Sequence, residues 1–230
     1  MNVLILGASG MVGSGVLLEC LDDPAVTSVL ALGRRACGVA HPKLRELLHA
    51  DFFDFSGLGD ALTGLDACFF CLGVSAAGKS EAEYHRLTYD LTTAFADTFL
   101  RASPGATFCY VSGAGTDSTE KGRAMWARVK GKTENHLLKM PFAAVRLFRP
   151  GYIQPMRGVR SSTGLYQAFY TAMSPLYPLL KKLFPRQLTT TEVLGRAMIR
   201  VAAEGYPKAV LDPSDINALG GREVQVGSGR

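Results

Sequence analysis

The chain is poor in charge and in histidine: charged residues make up 20% of its 230 positions, there are four histidines, and there is one tryptophan. Such low charge, with 47% hydrophobic residues, excludes a mainly disordered chain and supplies enough apolar material for a sizeable core. His41, His49 and His136 are scattered with no metal-ligand spacing, and no metal site is expected. No secretory segment is expected, because the apolar run Val3-Leu4-Ile5-Leu6 stops at Gly7. Without one, five cysteines, an odd number, do not form a disulfide framework. Cys68-Phe-Phe-Cys71 has the letters of a redox or zinc pair but lies in an apolar run with no second pair, so small buried side chains are the expectation. A reducing, cytoplasmic compartment follows as the simple expectation. Internal repeats and low-complexity tracts are also missing.

Charge is present, but unevenly. The net +5 resolves into 6 bases and 12 acids over residues 1–100, then 19 bases and 8 acids over 101–230. Between Lys121 and Arg160 stand ten bases and one acid, Glu134. A strip of that kind suits an anionic cofactor, an anionic substrate or an anionic membrane surface, and +5 overall is too mild to argue for nucleic acid.

Short apolar runs alternate with longer helical patterns. Strands are expected over 2–6, 28–32, 44–48, 67–72, 107–111 and 143–148, and helices over 11–21, 80–101 and 119–138. That alternation implies an α/β fold, a doubly wound parallel sheet covered on both faces. Residues 161–180 carry no charge, but Gln167, Ser174, Pro175 and Pro178 interrupt them; a broken amphipathic lid is expected rather than a membrane span. Thr189-Thr190-Thr191-Glu192 has the form of a helix start. One domain is expected over 1–212, with a small helical substrate-side lid within it at 153–188 and a loose polar tail over 213–230.

The strongest chemical signal is Gly7-Ala8-Ser9-Gly10-Met11-Val12-Gly13, placed between the first strand and the first helix. Glycines there let the backbone turn tightly and approach a pyrophosphate, whose charge then sits among unpaired N–H groups at the helix N-terminus. The end of the second strand selects the dinucleotide. It runs into Gly33-Arg34-Arg35 with no carboxylate for a ribose 2′-hydroxyl, and two arginines suit a 2′-phosphate, favouring NADP over NAD. Asp51 and Phe52 follow the third strand, where a carboxylate can meet an adenine amino group. Cys71, Leu72 and Gly73 close the fourth, where backbone can flank the adenosine ribose.

With Val111-Ser112-Gly113, Tyr89-Asp90, Val129-Lys130-Gly131 followed by Glu134, Arg146 followed by Arg149-Pro150-Gly151, and residues 188–196, these motifs make the chain resemble the atypical short-chain dehydrogenase/reductase family. The resemblance is to its Tat-interacting-protein-like subgroup and covers about residues 1–212. It implies an NAD(P)-binding Rossmann fold and a Ser, Tyr, Lys catalytic arrangement. Ser112 would orient a carbonyl, Lys130 would hold the nicotinamide ribose, and Pro150, Gly151 and Tyr152 would contact the cofactor. The catalytic tyrosine's place, four residues before Lys130, is held by Trp126. An indole N–H donates but has no accessible titration, so it cannot act as acid and base. Tyr152 is the first candidate to replace that tyrosine, with Tyr110, Tyr89, His85 and Asp117 behind it. The resulting expectation is an NADP(H)-dependent oxidoreductase on a small, apolar carbonyl or hydroxyl compound. The alternative is a catalytically impaired nucleotide-binding regulator or scaffold, with peripheral membrane contact as a variant. Monomer and homodimer both stay open.

Overall fold

A computed structural model describes residues 1–159 and 187–221. In chain order the elements are β1 (Asn2–Leu6), α1 (Met11–Asp22), β2 (Ser28–Gly33), β3 (Leu44–Leu48) and β4 (Ala67–Phe70). Then come α2 (Glu81–His85), α3 (Leu91–Ala102), β5 (Thr107–Val111), α4 (Met125–Leu137), β6 (Ala144–Phe148) and β7 (Tyr152–Gln154). Past residue 187 come β8 (Leu188–Thr190), α5 (Thr191–Glu204), β9 (Val210–Leu211) and α6 (Pro213–Gly220). Seven strands form one parallel sheet in the order β3-β2-β1-β4-β5-β6-β9. This is the expected doubly wound α/β architecture.

Burial on both faces explains why β1, β4 and β5 read as continuous apolar runs. Alternate side chains serve opposite faces. Val3, Ile5, Phe69 and Cys109 pack with α1, α5 and α6 through Val16, Leu17, Leu194, Met198 and Ile216. Leu4, Leu6, Phe70 and Phe108 pack on the other side with Phe95 and Phe99 of α3 and Leu137 of α4. That second face is aromatic, with ring centroids 5.1 Å apart at Phe108–Phe142 and 5.2 Å at Phe55–Phe95. Among the described strands only β3, at the sheet edge, is largely exposed, and it carries Arg45 and Glu46 there, which discourages further strand pairing.

Three expectations change. The helix expected from 119 starts at Met125, because the Asp117 carboxylate accepts from the backbone of Thr119 (2.9 Å), Lys121 (3.0 Å) and Gly122 (2.6 Å) and ties that stretch into a loop. The helix expected over 80–101 is interrupted by a π-turn at Arg86–Asp90. The loose tail does not begin at 213. Asp212 and Asp215 form a capping box with Pro213 in the first turn, and α6 buries Ile216 and Leu219. Arg196 Nε donates to the Gly220 carbonyl at 2.8 Å and Arg200 to the Leu219 carbonyl, closing the other end of α6. Polarity and glycine content hid this helix, although Asp212-Pro213-Ser214-Asp215 carried its start signal.

Thr190 caps α5 as expected, its hydroxyl accepting from Val193 N at 3.1 Å. Strands β7 and β8 pair in parallel, so the chain that leaves β7 at Gln154 returns to its start, with Leu188 beside Tyr152. Most of the expected lid, the charge-free residues 161–180 included, and residues 222–230 lie outside the described residues. Among the described residues no helix is long and apolar enough to cross a membrane, and no group of three metal-ligating side chains occurs.

Candidate functional site

The strand order reverses between β1 and β4, and in doubly wound sheets a crevice opens there beyond the C-terminal strand ends. A cleft of about 490 Å³ occupies that place. Gly10, Met11 and Val12 form one wall; Cys71, Leu72 and Gly73 form the next; Ser112, Trp126, Lys130, Pro150 and Gly151 form the far end. Sequence reasoning had not singled out Ser75, Ala114 or Ile153, which also line it.

Two glycines shape the first wall. Gly7 turns with φ +82°, and a Cβ there would stand 2.9 Å from Leu72 N. A Cβ on Gly13 would stand 2.2 Å from the Gly7 carbonyl oxygen, so only glycine lets α1 start this close to the turn. Gly10 caps α1 without any side-chain hydrogen bond, and the first turn holds no acidic residue. The N-terminal N–H groups of a 12-residue helix are therefore free of side-chain acceptors beside the cleft, which suits an anion. Ser9 sits exposed at the tip of the turn, outside the wall.

A smaller recess of about 160 Å³ adjoins, lined by Arg34, Asp51, Phe52, Phe53, Val74 and Leu72 among others; Leu72 belongs to both hollows. The Arg34 guanidinium lies 5.9 Å from the Phe52 ring centroid. Arg35 is exposed and lines neither hollow, and neither arginine forms an ion pair with another described residue.

At the far end, β5 delivers Ser112 and α4 delivers Trp126 and Lys130 on one helix face, four residues apart. Ser112 Oγ donates to Glu134 Oε1 at 2.6 Å, with a longer contact to the Phe148 carbonyl at 3.2 Å. Glu134 is 1% exposed and is held by Arg149, whose Nε lies 3.1 Å from both carboxylate oxygens and whose Nη2 also reaches Ser118 Oγ at 2.5 Å. Lys130 Nζ donates to the Ser112 carbonyl at 2.9 Å and lies 5.8 Å from the Tyr110 ring centroid. Burial pushes the Lys130 ammonium down to about 8, against the opposing pull of Glu134. Arg149 had entered the sequence reading only as part of the resemblance. The signal that marked Glu134 was its being the only acid in a strip of ten bases.

Trp126, at the position where the resemblance leads one to expect a tyrosine, lines the cleft with its indole edge beside Gly115. None of the substitutes considered for that tyrosine reaches the cleft wall. The Tyr152 hydroxyl turns to Gln154 Oε1 at 2.9 Å. Tyr110 is buried in the aromatic face, with burial holding its phenol well above the ordinary range. Tyr89 and His85 pack among α2, α3 and α4, where Tyr89 Oη meets His136 Nδ1 at 3.0 Å, and Asp117 organises its own loop. The cysteines are all free thiols; burial raises Cys68 and carries Cys71 up to about 12, so neither is a thiolate at neutral pH.

The basic strip disperses in three dimensions. Arg128 pairs with Glu81 at 2.6 Å, Arg149 with Glu134, and Arg157 with Asp22 at 2.7 Å and Glu19 at 3.2 Å.

No protein-family model matches the chain. Among curated proteins it is similar to the mitochondrial protein fmp52 of Emericella nidulans, 27% identical over 206 residues, covering 86% of this chain and 85% of that protein. It is also 27% identical to HTATIP2 of Rattus norvegicus over 155 residues, covering 66% of this chain and 62% of that one. Solved structures add a short-chain dehydrogenase/reductase from Saccharomyces cerevisiae, with a TM-score of 0.63 at 15% identity, covering 95% of this chain and 98% of that one. The chain is a homologue of fmp52 and HTATIP2 with a short-chain dehydrogenase/reductase fold. That agrees with the resemblance carried by its motifs. The Bordetella bronchiseptica enzyme WbmF, solved in complex with NAD+, has the same fold at TM-score 0.64 and 16% identity, covering 96% of this chain and 78% of that one.

One expectation is overturned by these relatives. The fmp52 proteins are named mitochondrial, which points away from a purely cytoplasmic location. Reduced cysteines fit any reducing compartment, so they never separated the cytoplasm from another one.

Proposed function

We propose that this homologue of fmp52 and HTATIP2 is an NADP(H)-dependent oxidoreductase acting on a small apolar carbonyl or hydroxyl compound. The observation that carries the reading is the uncapped N-terminus of α1 opening on a cleft that continues to Ser112 and Lys130. The dinucleotide's pyrophosphate would lie against the backbone of Gly10, Met11 and Val12, close to the Gly7–Gly13 crossing that leaves no room for a Cβ. Asp51 and Phe52 would flank the adenine, Cys71 to Gly73 its ribose, and Pro150 and Gly151 the nicotinamide, with Lys130 on the nicotinamide ribose. Arg34, lining the recess without a carboxylate partner among the described residues, supports a 2′-phosphate there, with Arg35 next to it in sequence. When bound, the group supplies or accepts a hydride. Val111, Trp126 and Ile153 make the substrate end apolar.

The test is a melting experiment on the full chain. NADPH at 100 times its Kd stabilises by about 2.7 kcal/mol, and NADH at the same concentration by less. Replacing Arg34 and Arg35 together by alanine removes the difference between the two. No shift with either dinucleotide would overturn the proposal.

Trp126 favours a second reading, a nucleotide-binding scaffold that has lost the chemistry. The Trp126→Tyr variant separates the two. In an oxidoreductase it restores a phenol one turn from the Lys130 cation and raises NADPH-driven reduction of apolar aldehydes and quinones by about tenfold or more. In a scaffold neither protein turns over.

A further inference from the structure

We propose that Lys130 is the proton donor and acceptor for substrate in this cleft, in the role a tyrosine at position 126 would otherwise fill. The proposal rests on the oxidoreductase reading and supplies the acid that reading lacks. It begins from what the neighbouring groups do with their protons. Trp126 offers an indole N–H that does not titrate. Ser112 has one hydroxyl proton, and that proton is given to Glu134 Oε1 at 2.6 Å. Glu134 is fixed in that duty by Arg149, so Ser112 presents lone pairs to a ligand and keeps no proton to give it.

Among the described residues, the cleft wall carries two titratable side chains, Cys71 and Lys130. Cys71, with its thiol carried up to about 12 by burial, holds its proton at neutral pH. Lys130 remains. Its ammonium has three N–H groups, and one is used on the Ser112 carbonyl. The groups facing it are Glu134 from its own helix and the Tyr110 ring from β5, with Arg149 from beyond β6 balancing Glu134. Tyr110 keeps its phenol protonated, so it adds no negative charge to hold the ammonium. Burial outweighs the pull of Glu134 and brings Lys130 down to about 8, where a proton can be given and regained near neutral pH.

In the reducing direction the carbonyl carbon gains the hydride that a bound reduced nicotinamide dinucleotide supplies, and the oxygen gains one proton from the Lys130 ammonium. Alcohol, oxidised dinucleotide and neutral amine result, and the amine takes its proton back from water. In the oxidising direction the neutral amine accepts the hydroxyl proton, and the hydride of the carbinol carbon would pass to a bound oxidised dinucleotide.

Two measurements test the proposal on the full chain. The first needs no turnover: lysines are reductively methylated with isotopically labelled formaldehyde and titrated by NMR, with the Lys130 signal assigned from its loss in Lys130→Arg. A midpoint near 8 is expected, and an ordinary midpoint near 10.5 overturns the proposal. The second measures NADPH oxidation with an apolar quinone and an apolar aldehyde. Arginine keeps a cation for the dinucleotide but does not release a proton, so Lys130→Arg binds NADPH within about threefold of the parent while kcat falls by about 100-fold or more. The limb of the pH profile near 8 disappears with it. Lys130→Met, checked for an unchanged melting curve, guards against a guanidinium that does not fit. Either variant turning over at the parent rate with the same pH limb overturns the assignment. A parent that binds NADPH but reduces nothing overturns the oxidoreductase reading instead, and the methylation titration then decides by itself whether Lys130 releases a proton.

Discussion

Replacing Arg149 by methionine lowers the melting temperature of the ligand-free chain by about 6–20 °C. Glu134 is 1% exposed, and Arg149 provides its only ion pair among the described residues. Removing one partner of a buried pair leaves an uncompensated charge and costs about 3–5 kcal/mol, and each kcal/mol is worth about 2–4 °C in a domain of this size. The cause is the stranded carboxylate rather than lost attraction, so adding Glu134→Gln to Arg149→Met recovers more than half of the loss. Calorimetry on the parent, the two single variants and the double variant measures this directly. A double variant no more stable than Arg149→Met would sink the account. Glu134 also accepts the Ser112 hydroxyl at 2.6 Å, which links this pair to the cleft as well as to stability.

The second large effect belongs to Gly13. Its missing Cβ would stand 2.2 Å from the Gly7 carbonyl oxygen and 2.6 Å from the Gly7 carbonyl carbon, both backbone atoms that cannot turn aside. Gly13→Ala therefore shifts the turn against α1 and moves the N–H groups of the first wall. Dinucleotide affinity falls by about 100-fold, the scale on which misplacement by an ångström acts, and stability falls by about 1–3 kcal/mol from overpacking. Gly10→Ala is the control, because its Cβ would meet the Gly7 oxygen at 3.3 Å and a few tenths of an ångström relieve it. Titration calorimetry with NADPH ranks the three proteins. Equal affinity for Gly13→Ala and the parent would show that the turn does not carry the ligand.

How much was legible in the sequence follows from what each feature depends on. Strands β1, β4 and β5 were readable because burial on both faces writes an unbroken apolar run. The turn before α1 was readable because its glycines fall between such a run and a helix. By contrast, the late start of α4 at Met125 depends on the Asp117 carboxylate winning backbone donors that a helix would have used, a competition that periodicity does not show. Helix α6 was missed for the opposite reason: two apolar side chains suffice to anchor it when Arg196 and Arg200 close its end, and both arginines come from another helix.

The site divides in the same way. Ser112, Trp126 and Lys130 could be named through the resemblance, and the end of β5 and one face of α4 bring them to one cleft. Where the Ser112 proton goes could not. Glu134 lies 22 residues away from it and Arg149 a further 15, and the direction of a hydroxyl is set by which acceptor stands nearest in space. The substitutes for the missing tyrosine failed for a similar reason: Tyr110 and Tyr152 are near the strand ends in sequence but turn into the core and toward Gln154.

By itself, then, the sequence determined the winding of the sheet, the glycine turn and the absence of a tyrosine at 126, because each is a local pattern of side-chain size and polarity. Only the tertiary structure decided the uneven charge with which the reading began. The nine described bases from Lys121 to Arg157 are no single patch: Arg128, Arg149 and Arg157 are drawn to carboxylates on other elements, and Lys130 alone of these nine lines the cleft. Charges pair across space at a few ångströms, so their partners are fixed by packing and not by order along the chain.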